Sequence, residues 1–183
     1  MAGWKSEALI VDAVRSPIGK RNGTLASIRG DELCAQVLNG LVARQDLDPA
    51  EIEDVQMGCV TQIGEQGWNI GRMVPLVAGW PETVCGTSVD RQCASSMQAS
   101  FNAATAVWSG QLDLVVSSGV EMMSRVPMGS NGGGISLGHP PGATGARIRA
   151  TLLNELERRD ARYGIASMCI GFGQALAAVV ERL

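Results

Sequence analysis

Short apolar runs of strand type alternate with amphipathic runs of helix type along most of this 183-residue chain. That alternation restricts the fold more than any other feature. Strands that take turns with helices must be joined by crossovers, so they assemble as parallel βαβ units, right-handed by default. The strand-type runs are residues 8–14, 55–60, 83–89 and 112–118. Helices are expected over 31–44, with Leu33, Val37 and Leu41 on one face, and over about 69–78. Another opens at or just before Cys93, with Met97, Phe101, Ala104 and Trp108 as its apolar face. Asp48-Pro49-Ala50-Glu51 reads as a capped helical turn, with the aspartate as cap and proline at the first position. The expected fold class is α/β, a mainly parallel sheet flanked by helices.

The alternation breaks between Pro127 and Gly145, where seven glycines crowd together with three prolines. This stretch reads as a linker, a backbone cradle for a ligand, or a scar where sequence is missing. It has no lysine in a phosphate-loop spacing, and Gly132-Gly133-Gly134 is too weak for a dinucleotide fingerprint. A doubly wound nucleotide-binding module therefore ranks well behind the other readings. The break suggests two units, 1–130 and 131–183. The second holds a helix near 143–159, striped by Ile148, Leu152 and Leu156, and two strand-like runs around Gly171-Phe172-Gly173. A turn that short makes the last two runs antiparallel neighbours. Such a half-built sheet would leave strand edges and apolar surface open, so a homo-oligomer is expected.

Composition removes several classes of function. A net charge of −3 with no basic run argues against nucleic acid as partner. No apolar segment approaches the roughly 18 residues that span a membrane, and the N-terminus lacks a secretory pattern. Five cysteines without a C-x-x-C pair suit a reducing compartment, so a cytoplasmic location is expected. One histidine leaves no obvious zinc set. Cys34, Cys59 and Cys85 read as small buried hydrophobes within a helix and two strands. Arg91 and Glu121 read as a structural ion pair. The basic loop of Arg15, Lys20 and Arg21 could face a phosphate, but a solvated turn is favoured by at least about two to one.

Cys93 is different, because it stands at the polar corner between a strand and a helix. The unpaired N–H groups and positive dipole end of a helix's first turn favour a thiolate there. A committed nucleophile also needs a base, and the single histidine, His139, is the candidate. Cys169 adjoins a second glycine-rich turn.

Five stretches together resemble the thiolase family of acyl-CoA acyltransferases. They are Arg15-Ser16-Pro17-Ile18-Gly19, Arg91-Gln92-Cys93-Ala94-Ser95-Ser96, residues 119–125, residues 131–140 around Gly138-His139-Pro140, and Cys169-Ile170-Gly171-Phe172-Gly173-Gln174. The resemblance implies that Cys93 carries the acyl group and that His139 activates it. It also implies that Cys169 moves the α-proton, and that the backbone N–H groups of Cys93 and Gly171 form an oxyanion hole. Acyl-CoA or coenzyme A would be the substrate and partner, with no other cofactor. Thiolases are roughly twice this length. The missing part would fall between residues 130 and 131, taking with it the last strand of the first domain and the start of the second, the inserted loop domain that holds most of coenzyme A, and the N-E-A-F motif. Two readings follow: an acyl-CoA C-acyltransferase forming or cleaving 3-ketoacyl-CoA, or a catalytically inactive, shortened thiolase-like chain acting as a structural or partner subunit. The lean is toward degradative members acting on bulky acyl-CoA.

Overall fold

A computed structural model describes residues 7–127, 140–170 and 174–183. Three short parallel strands form the central sheet: β1 (Asp54–Gly58), β2 (Cys85–Val89) and β3 (Val115–Gly119), in the order β2-β1-β3. The register pairs Gly58 with both Val89 and Gly119, so the strand ends line up at one edge of the sheet. Helices α1 (Gly30–Arg44) and α2 (Ile70–Val77) cover one face, while α3 (Ser95–Ser109) and α4 (Pro141–Arg158) cover the other. An antiparallel hairpin, β4 (Tyr163–Ile170) with β5 (Gln174–Glu181), packs against α4.

The larger core lies under α1 and α2, where Leu38, Ile52, Val55, Met57, Ile70, Val74 and Val84 are almost fully buried. The run 55–57 alternates in the expected way: Val55 and Met57 point into this core. Asp48 caps the short turn Pro49–Glu51, its carboxylate accepting the Ala50 N–H at 2.9 Å, as the sequence predicts. The second core joins Ala94 and Met97 to Ala166, Met168 and Ile170, with Phe101, Ile148 and Leu152 beside them.

On α3 the apolar spacing predicts only part of the buried face: Met97 is fully buried and Phe101 packs beside the second core, as expected. Ser96, Ala99, Ser100 and Ala103 are buried, whereas Trp108 is exposed. Small residues win this face because the helix lies directly on glycines of the sheet. A Cβ on Gly119 would meet Ser96 Cβ at 2.6 Å, and one on Gly58 would overlap the Ser96 backbone. Close approach, not side-chain size, decides which face turns inward.

Residues 8–14 are the second difference. The sequence predicts a strand, but the segment joins no sheet, and Leu9, Ile10 and Val11 are 62%, 49% and 76% exposed. Its one anchor is Asp12, whose carboxylate accepts hydrogen bonds from Arg44 and from Gln45 at the C-terminal end of α1. A strand needs a neighbouring backbone, and the described residues offer this run none.

Candidate active site

The chain leaves β2 through a tight corner built by side chains on backbone. Asp90 Oδ1 accepts the Gln92 N–H at 2.8 Å, and Gln92 sits in the left-handed region at φ 50°. Ser95 Oγ accepts the Arg91 N–H at 2.9 Å and donates to the Gln92 carbonyl at 2.6 Å. A non-glycine residue at positive φ costs of order 1–3 kcal/mol, and these three bonds hold it there. Cys93 is the residue this corner presents. It lies just ahead of α3, whose N-cap is Ala94, so it precedes the first helical turn instead of lying within it. Its placement still leaves it beside the amide end of a 15-residue helix.

Cys93 is half-buried and packs against the cluster of Ala94, Met97, Ala166, Met168 and Ile170. Met168 and Ile170 flank Cys169 in β4, where its backbone pairs with Ala175. The corner carrying the first thiol and the strand carrying the second therefore share one small core. His139 and Gly171 lie outside the described residues. The other cysteines separate clearly. Cys34 and Cys59 are buried as expected, and burial pushes their thiols up to about 11 and about 12. Cys85 departs from expectation: it is exposed, its Sγ 3.8 Å from the Thr83 carbonyl. β2 is an edge strand, paired on one side only.

Glu121 is not paired with Arg91. Its buried carboxylate accepts the N–H groups of Val60, Thr61 and Gly142 at 3.0–3.1 Å and the Gln66 side-chain amide at 3.2 Å. Arg91 instead donates to Gln98. Gln66, also fully buried, accepts the Met122 N–H at 2.6 Å. Sequence reasoning passed over this Gln66–Glu121 hub, because most of its donors are backbone groups, from the connection after β1 and the first turn of α4, and leave no side-chain pattern. Among the described residues no group of His, Cys, Asp or Glu could hold a metal ion, and no helix is long and apolar enough to cross a membrane.

The fold is a parallel α/β sheet covered by helices on both faces, and its strand-to-helix corner presents the Cys93 thiol. The thiolase N-terminal domain family matches residues 8–151, and the chain belongs to that family. It is 49% identical over 125 residues to the steroid 3-ketoacyl-CoA thiolase FadA6 of Mycobacterium tuberculosis, covering 68% of this chain and 31% of the relative. A 3-ketoacyl-CoA thiolase of Psychrobacter arcticus is 46% identical over 123 residues, covering 67% of this chain and 32% of the relative. The crystal structure of the Bacillus anthracis acetyl-CoA acetyltransferase superposes with a TM-score of 0.62 at 39% identity, covering 67% of this chain and 31% of that one. The chain thus matches about a third of the length of these relatives.

Proposed function

We propose that the chain is an acyl-CoA C-acyltransferase working through an acyl-cysteine. In this reading the Cys93 sulfur attacks the carbonyl of an acyl-CoA, forming a new thioester as the bond to coenzyme A breaks. His139 takes the Cys93 proton and returns it to the departing coenzyme A sulfur. Cys169 then removes an α-proton from a second acyl-CoA, whose carbanion attacks the acyl-cysteine, forming the carbon–carbon bond of a 3-ketoacyl-CoA as the bond to the Cys93 sulfur breaks and releases that thiolate. Run backwards, the same steps cleave it. N–H groups of Cys93 and Gly171 stabilise the oxyanion. The names of the relatives favour a 3-ketoacyl-CoA as substrate, one of them a steroid derivative. A cytoplasmic homo-oligomer remains part of this reading.

The observation that carries it is the presented corner of Cys93, packed on the same small core as the strand that holds Cys169. The match to about a third of the relatives' length favours a second reading, a shortened chain that keeps the fold but not turnover. Incubation with acetyl-CoA followed by peptide mass spectrometry separates the two. One acetyl group on Cys93, absent in Cys93→Ser, supports the enzyme. An unmodified Cys93 with five unlabelled thiols supports the second reading.

A further inference from the structure

Beside β3 the protein has a cavity of about 600 Å³, a size typical of small-molecule sites. Residues 117–119 of β3 line it, together with the loop from Val14 to Arg21. The larger part of its wall is apolar: Leu33 and Val37 of α1, Val120 and Met122 beyond β3, and Ala143 and Ala146 of α4. The hydroxyls on the wall already have partners. Ser16 donates to the Pro17 carbonyl and Ser124 accepts the Asn22 N–H, while Ser117 pairs with Ser100 and Ser118 with Cys34. A body rich in hydroxyls or ring nitrogens, such as a sugar or a nucleoside, finds few side-chain partners there.

The same wall carries Arg15, Lys20, Arg21 and Arg147, in a protein whose net charge is −3. Arg15, Lys20 and Arg21 come from one loop, and none of them makes an ion pair among the described residues. Arg147 comes from α4. Burial holds its guanidinium below the ordinary value, and the charge of Arg15 adds to the effect. Two guanidiniums from separate elements thus lie near enough to repel beside one cavity. Glu121 is the one acid on the described wall, and its oxygens are committed to four N–H donors. An anion that answers these cations has to come from outside the chain.

We propose that this cavity binds a small organic acid, its apolar body against α1 and α4 and its carboxylate on Arg15 and Arg147. A guanidinium holds a carboxylate through two parallel N–H bonds, and a second guanidinium nearby removes the mismatch of two adjacent like charges. β3 pairs only with β1, so backbone groups along its other edge are open to a carboxylate oxygen as well. An inorganic anion would give up water beside apolar walls that it cannot fill. An amine with the same body would meet like charges on two sides. Cys93 is not on this wall, so the site is separate from the proposed acyl transfer and does not depend on it.

The test is isothermal calorimetry on the full chain with sodium decanoate as the probe. Saturable binding of one decanoate per chain is expected, at least tenfold weaker in Arg15→Gln and in Val37→Phe, whose ring takes up room for the body. Arg15 is exposed on a loop, so its variant should keep the parent's melting temperature, and it carries the test alone if Val37→Phe fails to fold. No saturable binding would overturn the proposal. So would binding unchanged in Arg15→Gln, which would place the acid elsewhere, the Cys93 corner included. Decylamine binding as tightly as decanoate would overturn the role of the cations. Inorganic phosphate binding as tightly would overturn the role of the apolar body. Acetylation of Cys93, scored separately, reports on the enzyme reading and not on this cavity.

Discussion

Glu121 Oε2 accepts the backbone N–H of Gly142 at 3.0 Å, so one carboxylate ties the exit of β3 to the first turn of α4. The bond spans 21 residues, including the glycine-rich stretch, and places a negative charge at the positive end of an 18-residue helix. Together with Val60, Thr61 and Gln66, Gly142 makes Glu121 the point where the exit of β3, the connection after β1 and the start of α4 converge.

Replacing that carboxylate should therefore be costly. Glu121→Ala leaves four donors without an acceptor in a buried site, and each such donor costs about 1–3 kcal/mol. Partial hydration on relaxation reduces the sum, so a loss of about 3–5 kcal/mol is expected in urea denaturation at neutral pH. Glu121→Gln keeps one acceptor oxygen but turns an amide toward N–H groups, and should fall between the two. A loss under about 1 kcal/mol for the alanine variant would show that the hub is not structural.

The contact of α3 with the sheet predicts opposite signs for one substitution at two glycines. A methyl on Gly58 would overlap the backbone of Ser96, which no side-chain rotation can relieve. Gly58→Ala should destabilise by at least the roughly 1–3 kcal/mol of an overpacked core. Gly40 is an exposed interior position of α1 with nothing within 4 Å of the new carbon. There alanine restricts the unfolded chain and improves helix propensity, so Gly40→Ala should stabilise by about 0.5–1 kcal/mol. Thermal melts of both variants settle the pair.

These contacts show where the sequence could and could not be read. Strand and helix types were legible because period-2 and period-3.6 patterns carry them: 55–60 reads as a strand and is one over Asp54–Gly58. The helix at 31–44 was legible for the same reason, and the final hairpin from the short glycine turn between its two strand-like runs. The inward face of α3 was legible only in Met97 and Phe101, because Ser96 and Ala99 are chosen by backbone proximity, which leaves no apolar signature. Residues 8–14 have the pattern of a strand, but pattern describes what a segment can do, and pairing depends on a neighbour elsewhere in the fold. At the candidate site, Cys93 was legible from its corner, whereas the bonds of Asp90 and Ser95 that shape the corner were not.

Two buried thiols predict a loss of stability at alkaline pH. Cys34 and Cys59 are raised from 9.0 to about 11 and about 12, chiefly by burial, with the Glu121 charge adding to the effect at Cys59. Above pH 9 the unfolded chain releases these protons while the folded chain retains them. Stability present below pH 9 is thus lost as pH rises toward 11 and 12. The slope is about 1.4 kcal/mol per pH unit for each thiol. Cys34→Ala should flatten the part between pH 9 and 11, measured by urea midpoints across pH. An unaltered slope would assign the loss to other groups.

Arg149 offers the converse case, a charge whose removal should help. It lies on α4, its Nε is buried without a hydrogen-bond partner, and burial lowers its guanidinium to about 10. No carboxylate of the chain forms an ion pair with it among the described residues. A buried cation without a counter-charge costs more in desolvation than its stem gains by packing. Methionine matches the length of that stem and carries no charge, and it is as good a helix former as arginine. Arg149→Met is therefore expected to stabilise the fold by about 1–2 kcal/mol at pH 7, a gain that stays level up to about pH 10 and shrinks only above it, where the parent's folded state releases the proton that its unfolded chain still holds. Equal or lower stability for the methionine variant would mean that an anion neutralises Arg149 in solution, and titration with inorganic phosphate would then raise the parent's melting temperature but not the variant's.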